Sequence, residues 1–272
     1  MTGRERAMVD AARRAVHAEY TKLRTVGGTG WLLLATVVLT VGLGAGTARS
    51  TVCPVAGCGA DAVRLALGGV TLGQAVVAVL GVLAVSGEYS DGMIGLSLAA
   101  MPRRTTLLAA KATVLTGAVL AAGSVAVLGS LVARSLILPG NGFTPAHGYH
   151  VSLTQSLSDP ATLRAAVGSV LYLVLVALLA LGVATAVREA ATAIGVVLGL
   201  LYLFPLLAHV VTDPTWQRHL QQLAPMPAGL AVQATRNLQQ LPIGPWAGLG
   251  VLAGWTAAAL VLGTALLRTR DA

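Results

Sequence analysis

The sequence predicts an all-α integral membrane protein with six transmembrane helices, and two observations carry that expectation. The first is composition: 56% of the residues are apolar and only 10% are charged. A soluble domain carries roughly 25% charged residues to cover its surface, so this chain lacks the polar groups for one. The mean hydropathy of +0.79 agrees. The second is spacing. Six windows free of Asp, Glu, Lys and Arg lie at 29–48, 66–87, 112–133, 165–187, 190–211 and 246–267. About 20 apolar residues at 1.5 Å each cross a hydrocarbon core of roughly 30 Å, which each window satisfies. Residues 1–272 therefore read as a single transmembrane domain.

Ahead of the first span, residues 1–24 mix Arg4, Arg6, Arg13, Arg14, Lys22 and Arg24 with Glu5, Asp10 and Glu19. That mixture, with no short apolar region and cleavage site behind it, does not read as a secretory signal peptide. Val9, Ala12, Val16, Tyr20 and Leu23 recur at three- and four-residue steps. The spacing predicts an amphipathic helix lying in the membrane interface, against the alternative of a solvated basic tail.

The first loop, 48–66, carries the only two cysteines in CPVAGC. Two thiols alone make an incomplete zinc site. Cys53 and Cys58 are thus either a disulfide, should the loop face an oxidising exterior, or two free thiols. Within the spans, Gly-x-x-x-Gly occurs at Gly42/Gly46, Gly69/Gly73, Gly195/Gly199 and Gly250/Gly254. This spacing lets helix backbones approach closely, but 32 glycines make chance matches common, so no interface is named by it. Gln74 lies within span two and His209 near the end of span five. Such near-absence of ionisable groups argues against an ion-coupled carrier or channel.

Between spans two and three, Glu88 ends the apolar run, and Tyr89-Ser90-Asp91-Gly92 make a turn. An amphipathic stretch with Met93, Ile94, Leu96, Leu98 and Met101 follows, closed by Pro102-Arg103-Arg104. A short amphipathic helix with a basic pair suits docking into a groove on another protein; an ordinary interfacial loop whose arginines hold topology is the equal alternative. The window 135–158 is also free of charge. It contains Pro139, Gly140, Asn141, Gly142 and Pro145, which break a helix, so it reads as a loop. The last long loop, 212–245, has helical composition split by Pro225 and Pro227, as two short helices against the outer leaflet.

Lys and Arg set the orientation. With the N-terminus inside, segments 1–28, 87–111, 188–189 and the tail from Arg268 hold twelve basic residues, and the opposite side holds six. Twelve against six predicts cytoplasmic N- and C-termini in a multi-pass protein of the cell membrane. Arg49, Arg64, Arg134 and Arg164 abut span ends, where long side chains can reach outward. The net charge of +8 is concentrated beside spans, where it marks topology and contact with anionic lipid. No nucleic-acid module accompanies it, and no nucleic-acid partner is expected. No P-loop, HExxH or Ser/His/Asp order is present, so enzyme chemistry and a resident cofactor are not expected.

The pattern E-Y-S-x-G-x-I-x-x-x-L-x-x-M-P-x-R, with a Lys seven residues on, resembles the stretch after the second span in exporter-type ABC transporter permeases, the second membrane-permease superfamily. The matching positions are Glu88, Tyr89, Ser90, Gly92, Ile94, Leu98, Met101, Pro102, Arg104 and Lys111. Weaker echoes fall between Trp216 and Leu230, and Met93 stands where the family often has Thr. The resemblance implies a cytoplasmic coupling helix contacting a separate ATPase subunit through Glu88, Tyr89, Ser90, Asp91, Gly92, Met93, Ile94, Met101, Pro102, Arg103 and Arg104. It also implies a second permease subunit, two ATPase copies that bind ATP and Mg, and export. A non-transporting membrane scaffold or sensor is the rival class.

Overall fold

The apolar windows fold as helices, several of them longer than their charge-free cores. The computed structural model describes residues 13–22, 27–55, 58–90, 104–149 and 151–269, and among these every regular element is helical. In chain order they are α1 (13–22), α2 (Gly27–Ser50), α3 (Ala62–Leu67), α4 (Val70–Ser90), α5 (Arg104–Ile137) and α6 (Leu153–Ser158). Then come α7 (Pro160–Val187), α8 (Ala190–Val210), α9 (Pro214–Leu223), α10 (Pro225–Leu230) and α11 (Pro245–Thr269). Among the described residues, six stretches are long and apolar enough to cross a membrane: α2, α3 with α4, α5, α7, α8 and α11. That is compatible with a multi-pass membrane protein.

Two boundaries differ from the sequence reading. Span two is broken at Gly68-Gly69, because α2 crosses there. A Cβ on Gly69 would overlap the Thr40 carbonyl, and one on Gly73 would overlap the Thr40 hydroxyl. Only glycine permits that approach. The other three Gly-x-x-x-Gly pairs have open space beside them. Span three begins at Arg104 and runs past residue 133 to Ile137. Its charges do not end it because they are accommodated: Lys111 and Arg134 are both buried. Arg134 therefore does not reach outward, as its place at a span end suggested; it lies in the field of the Asp61 and Asp159 carboxylates.

The core is built around α7, which packs on α4, α5, α8 and α11. Tyr172, Leu173, Leu179 and Leu181 of α7 are fully buried. In α7's most apolar window 61% of the residues are buried, against 22% in α2, 17% in α8 and 22% in α11. Those three helices turn most of their apolar surface outward, which in water would expose far more than a soluble monomer tolerates.

Side-chain caps set where the helices start. Asp159 accepts from the Thr162 amide at 2.9 Å and the Thr162 hydroxyl at 2.6 Å, with Pro160 in the first turn. This is a standard N-terminal arrangement, satisfying donors that lack a partner within the helix. Burial pushes the Asp159 carboxyl up, but the hydroxyl and amide of Thr162 and the amide of Ala161 outweigh it and hold the group below the usual carboxylate range. α7 ends at Arg188 in the left-handed region (φ 64), and Glu189 caps α8 through the Ala191 and Thr192 amides at 2.8 and 2.6 Å. The Thr192 hydroxyl and those amides hold Glu189 below its ordinary value. The 212–245 loop does contain two short helices, α9 and α10, divided at Ala224.

Candidate functional site

Of the residues assigned to partner contact from sequence, Asp91, Gly92, Met93, Ile94, Met101, Pro102 and Arg103 lie outside the described residues. Glu88, Tyr89 and Ser90 form the last turn of α4, and Arg104 opens α5. The joint between these flanking helices is described. Lys111 Nζ donates to Glu19 Oε2 of α1 at 3.0 Å and to the Ala84 carbonyl of α4 at 3.0 Å. Both side chains are withdrawn from solvent, at 4% and 10% exposure. One ammonium group thus ties α1, α4 and α5 together. An ion pair shielded in this way attracts far more strongly than an exposed one, provided neither partner is removed. The face of α1 turned into the bundle carries Ala15 and Glu19, and Tyr20 is 54% exposed. The ion pair holds α1 against α4 and α5.

The opposite end is closed by the first two loops and the segment before α11. Cys53 and Cys58 are joined by a disulfide. The Cys53 amide donates to the Asn141 carbonyl at 2.9 Å, and Asn141 Nδ2 donates to the Ala48 and Arg49 carbonyls at 2.9 and 3.1 Å. Tyr149 Oη donates to the Ala60 carbonyl at 3.1 Å, and its ring packs edge-on against Phe143 with centroids 4.8 Å apart. The Arg236 guanidinium lies 4.1 Å from the Tyr149 centroid and donates to the Gly148 carbonyl at 3.2 Å. Such a cation over an aromatic face contributes of order 0.5–1 kcal/mol where exposed.

Asp61 organises this end. Its Oδ1 accepts from the amides of Val63 and Arg64 at 3.2 and 3.1 Å and the Thr235 hydroxyl at 2.7 Å. Its Oδ2 accepts from the amides of Thr235 and Arg236 at 2.6 and 3.1 Å. One carboxylate therefore caps α3 and holds a segment 174 residues away. Beside it opens a vestibule of about 860 Å³. Arg64, Gln221, Gln233, Arg236, Asn237 and Gln240 supply its polar lining, and Pro205, Met226 and Leu230 its apolar wall. Gln233 is buried and donates to Ser169 Oγ at 3.1 Å. Thr71 lines the cavity, and its carbonyl accepts from the Tyr202 hydroxyl. Gln74, three residues further along α4, accepts from the buried Tyr172 hydroxyl. A concave space with a few fixed polar groups among apolar walls is what a binding site for a small amphipathic molecule requires.

Gln74 was visible in the sequence as a polar residue inside a span, but its partner Tyr172 was not. Arg64, Gln233 and Arg236 gave no local signal, since they converge only through the fold. Among the described residues, no three His, Cys, Asp or Glu side chains gather as metal ligands would. No protein-family model matches this chain, and no curated protein matches it.

Proposed function

We propose that this chain is the membrane permease subunit of an ATP-driven exporter of the ABC type. It works beside a second permease, a copy of itself or a relative, and two copies of a separately encoded ATPase that binds ATP and Mg. The observation that carries the reading is the Lys111 joint. The pattern from Glu88 to Arg104 lies between two helices that the buried Lys111 joins, and that lysine is the pattern's last matching position. A segment anchored so close to its ends passes a displacement to the helices behind it instead of absorbing it.

The excess of Lys and Arg assigns the α1 end, with both termini, to the cytoplasm of the cell membrane. Closure of the ATPase pair on ATP displaces the coupling segment. Spans two and three and α1 move with it as one unit, because Lys111 binds all three. The permease interface then opens outward, and hydrolysis resets it. This is alternating access driven by the different affinity of nucleotide for two conformations. The vestibule beside Asp61 is then the outward part of the path, with Arg64 and the amide side chains as its cargo contacts.

The test is co-expression with an ATPase encoded beside this chain, comparing the wild type with Glu88→Ala and with the pair Arg103→Ala and Arg104→Ala. Loss of a central contact weakens association by about tenfold or more, so both variants should lose the co-purifying ATPase and its transport-linked hydrolysis. Unchanged co-purification and unchanged hydrolysis would sink the coupling assignment. An ATPase that binds but moves no cargo would mark the chain as a scaffold.

A further inference from the structure

A second cavity, of about 1060 Å³, lies at the α1 end between spans one and three. Its origin is the way α2 and α5 meet. They run in the same direction and touch in their far halves, where a Cβ on Gly129 would meet Val41 and one on Gly44 would lie 3.6 Å from Ser130 Oγ. In their near halves they part. A Cβ on Gly30 or Gly117 would meet nothing within 4 Å, and these glycines, with Leu33 and Val114, form the walls of a trough. α1 lies across its mouth and contributes Arg13 and Arg14.

Among the described residues the charge at that mouth is one-sided. Within 13–22 the acidic residue is Glu19, and it is bound to Lys111. Arg13 and Arg14 are exposed, and their charges are uncompensated by any carboxylate on α1. Tyr20 and Trp31 are 54% and 73% exposed at the same end, the amphipathic aromatics that sit at headgroup depth.

We infer that this trough is a binding site for one anionic phospholipid, its phosphate held by Arg13 and Arg14 and an acyl chain lying along the groove beside Gly30 and Gly117. Charge complementarity selects the headgroup, since each basic residue near the surface adds attraction for anionic lipid. The apolar glycine-lined walls select a chain over a soluble anion. The site rests on the membrane reading of the chain but not on its ATPase partner, so it can fail while the coupling assignment stands. Its consequence is regulatory: lipid in the trough braces α1, and α1 shares the Lys111 joint.

The test is native mass spectrometry of the purified full chain in a neutral detergent, with phosphatidylglycerol or phosphatidylcholine of identical acyl chains. One phosphatidylglycerol should be retained in strong preference to phosphatidylcholine. Replacing both arginines (R13Q, R14Q) should weaken retention roughly thirtyfold. Gly117→Leu fills the trough, leaves the arginines intact, and should abolish retention. The double control R49Q, R218Q, at exposed arginines of the opposite end, should change nothing. Equal retention of phosphatidylcholine would overturn the headgroup assignment. Unaltered binding by Gly117→Leu, or equal binding of glycerol 3-phosphate without chains, would overturn the groove.

Discussion

The two ends of the bundle are fastened by opposite means. At the disulfide end, a covalent bridge braces the first loop locally, and segments far apart in sequence are bound by the Asp61 bonds to Thr235 and Arg236, the Asn141 contacts and an aromatic pair under Arg236. At the α1 end, a buried ion pair does the joining, with Lys111 bound to α1 and α4. A covalent bridge cannot open without chemistry, whereas an ion pair can part and re-form when either helix that carries it is displaced.

The largest effect should come from the Lys111 joint. Lys111→Met leaves the Glu19 carboxylate shielded and unpaired, which costs about 3–5 kcal/mol. Thermal unfolding of the purified chain should fall accordingly, and limited proteolysis should release α1 first. Adding Glu19→Gln to Lys111→Met should recover most of the loss; no recovery would show that α1 is held by packing alone. The opposite end should resist the corresponding insult. The disulfide closes a loop with a sequence separation of only 5, for which loop entropy contributes about 2 kcal/mol. Replacing both cysteines with serine should lower stability by no more than that and leave the vestibule closed to proteolysis. A larger loss would mean the hydrogen bonds around Asn141 and Tyr149 depend on the bridge.

The smallest effect is a matter of pH. Asp159 has a lowered folded pKa, so its cap contributes fully above the ordinary carboxylate value near 4 and is lost as the pH falls through the lowered one. Melting curves at pH 7 and pH 3 should show a decline on acidification that Asp159→Asn reduces, since Asn caps without titrating. An unaltered decline would place the acid sensitivity elsewhere, with Glu189, whose lowered value has the same sign, the next group to change.

How much of this was legible in the sequence follows from which forces are local. The six spans were legible because membrane insertion reads a continuous window, and no distant residue can supply the missing polarity. The caps at Asp159, Glu189 and Asp213 were not read from the sequence, although each depends on neighbours only two and three residues away. The break at Gly68-Gly69 was not legible, since it answers to Thr40 on another helix, and only one of four equally spaced glycine pairs meets a neighbour. Lys111 was read as a motif residue, yet its role rests on Glu19, 92 positions earlier. Arg134 looked like a span-end arginine until Asp61 and Asp159 were brought beside it. The vestibule draws on α3, α8, α9 and the segment before α11; no stretch of sequence contains it.

The turn between α7 and α8 fixes how two unlike helices share the bundle. Only Arg188 and Glu189 separate the most enclosed of the long helices from the least enclosed. A connection that short leaves an antiparallel hairpin as the arrangement, so α8 is kept beside α7 by its tether as well as by its packing. A helix with 17% of its most apolar window buried thus stays in register with the one that the rest of the core is built on.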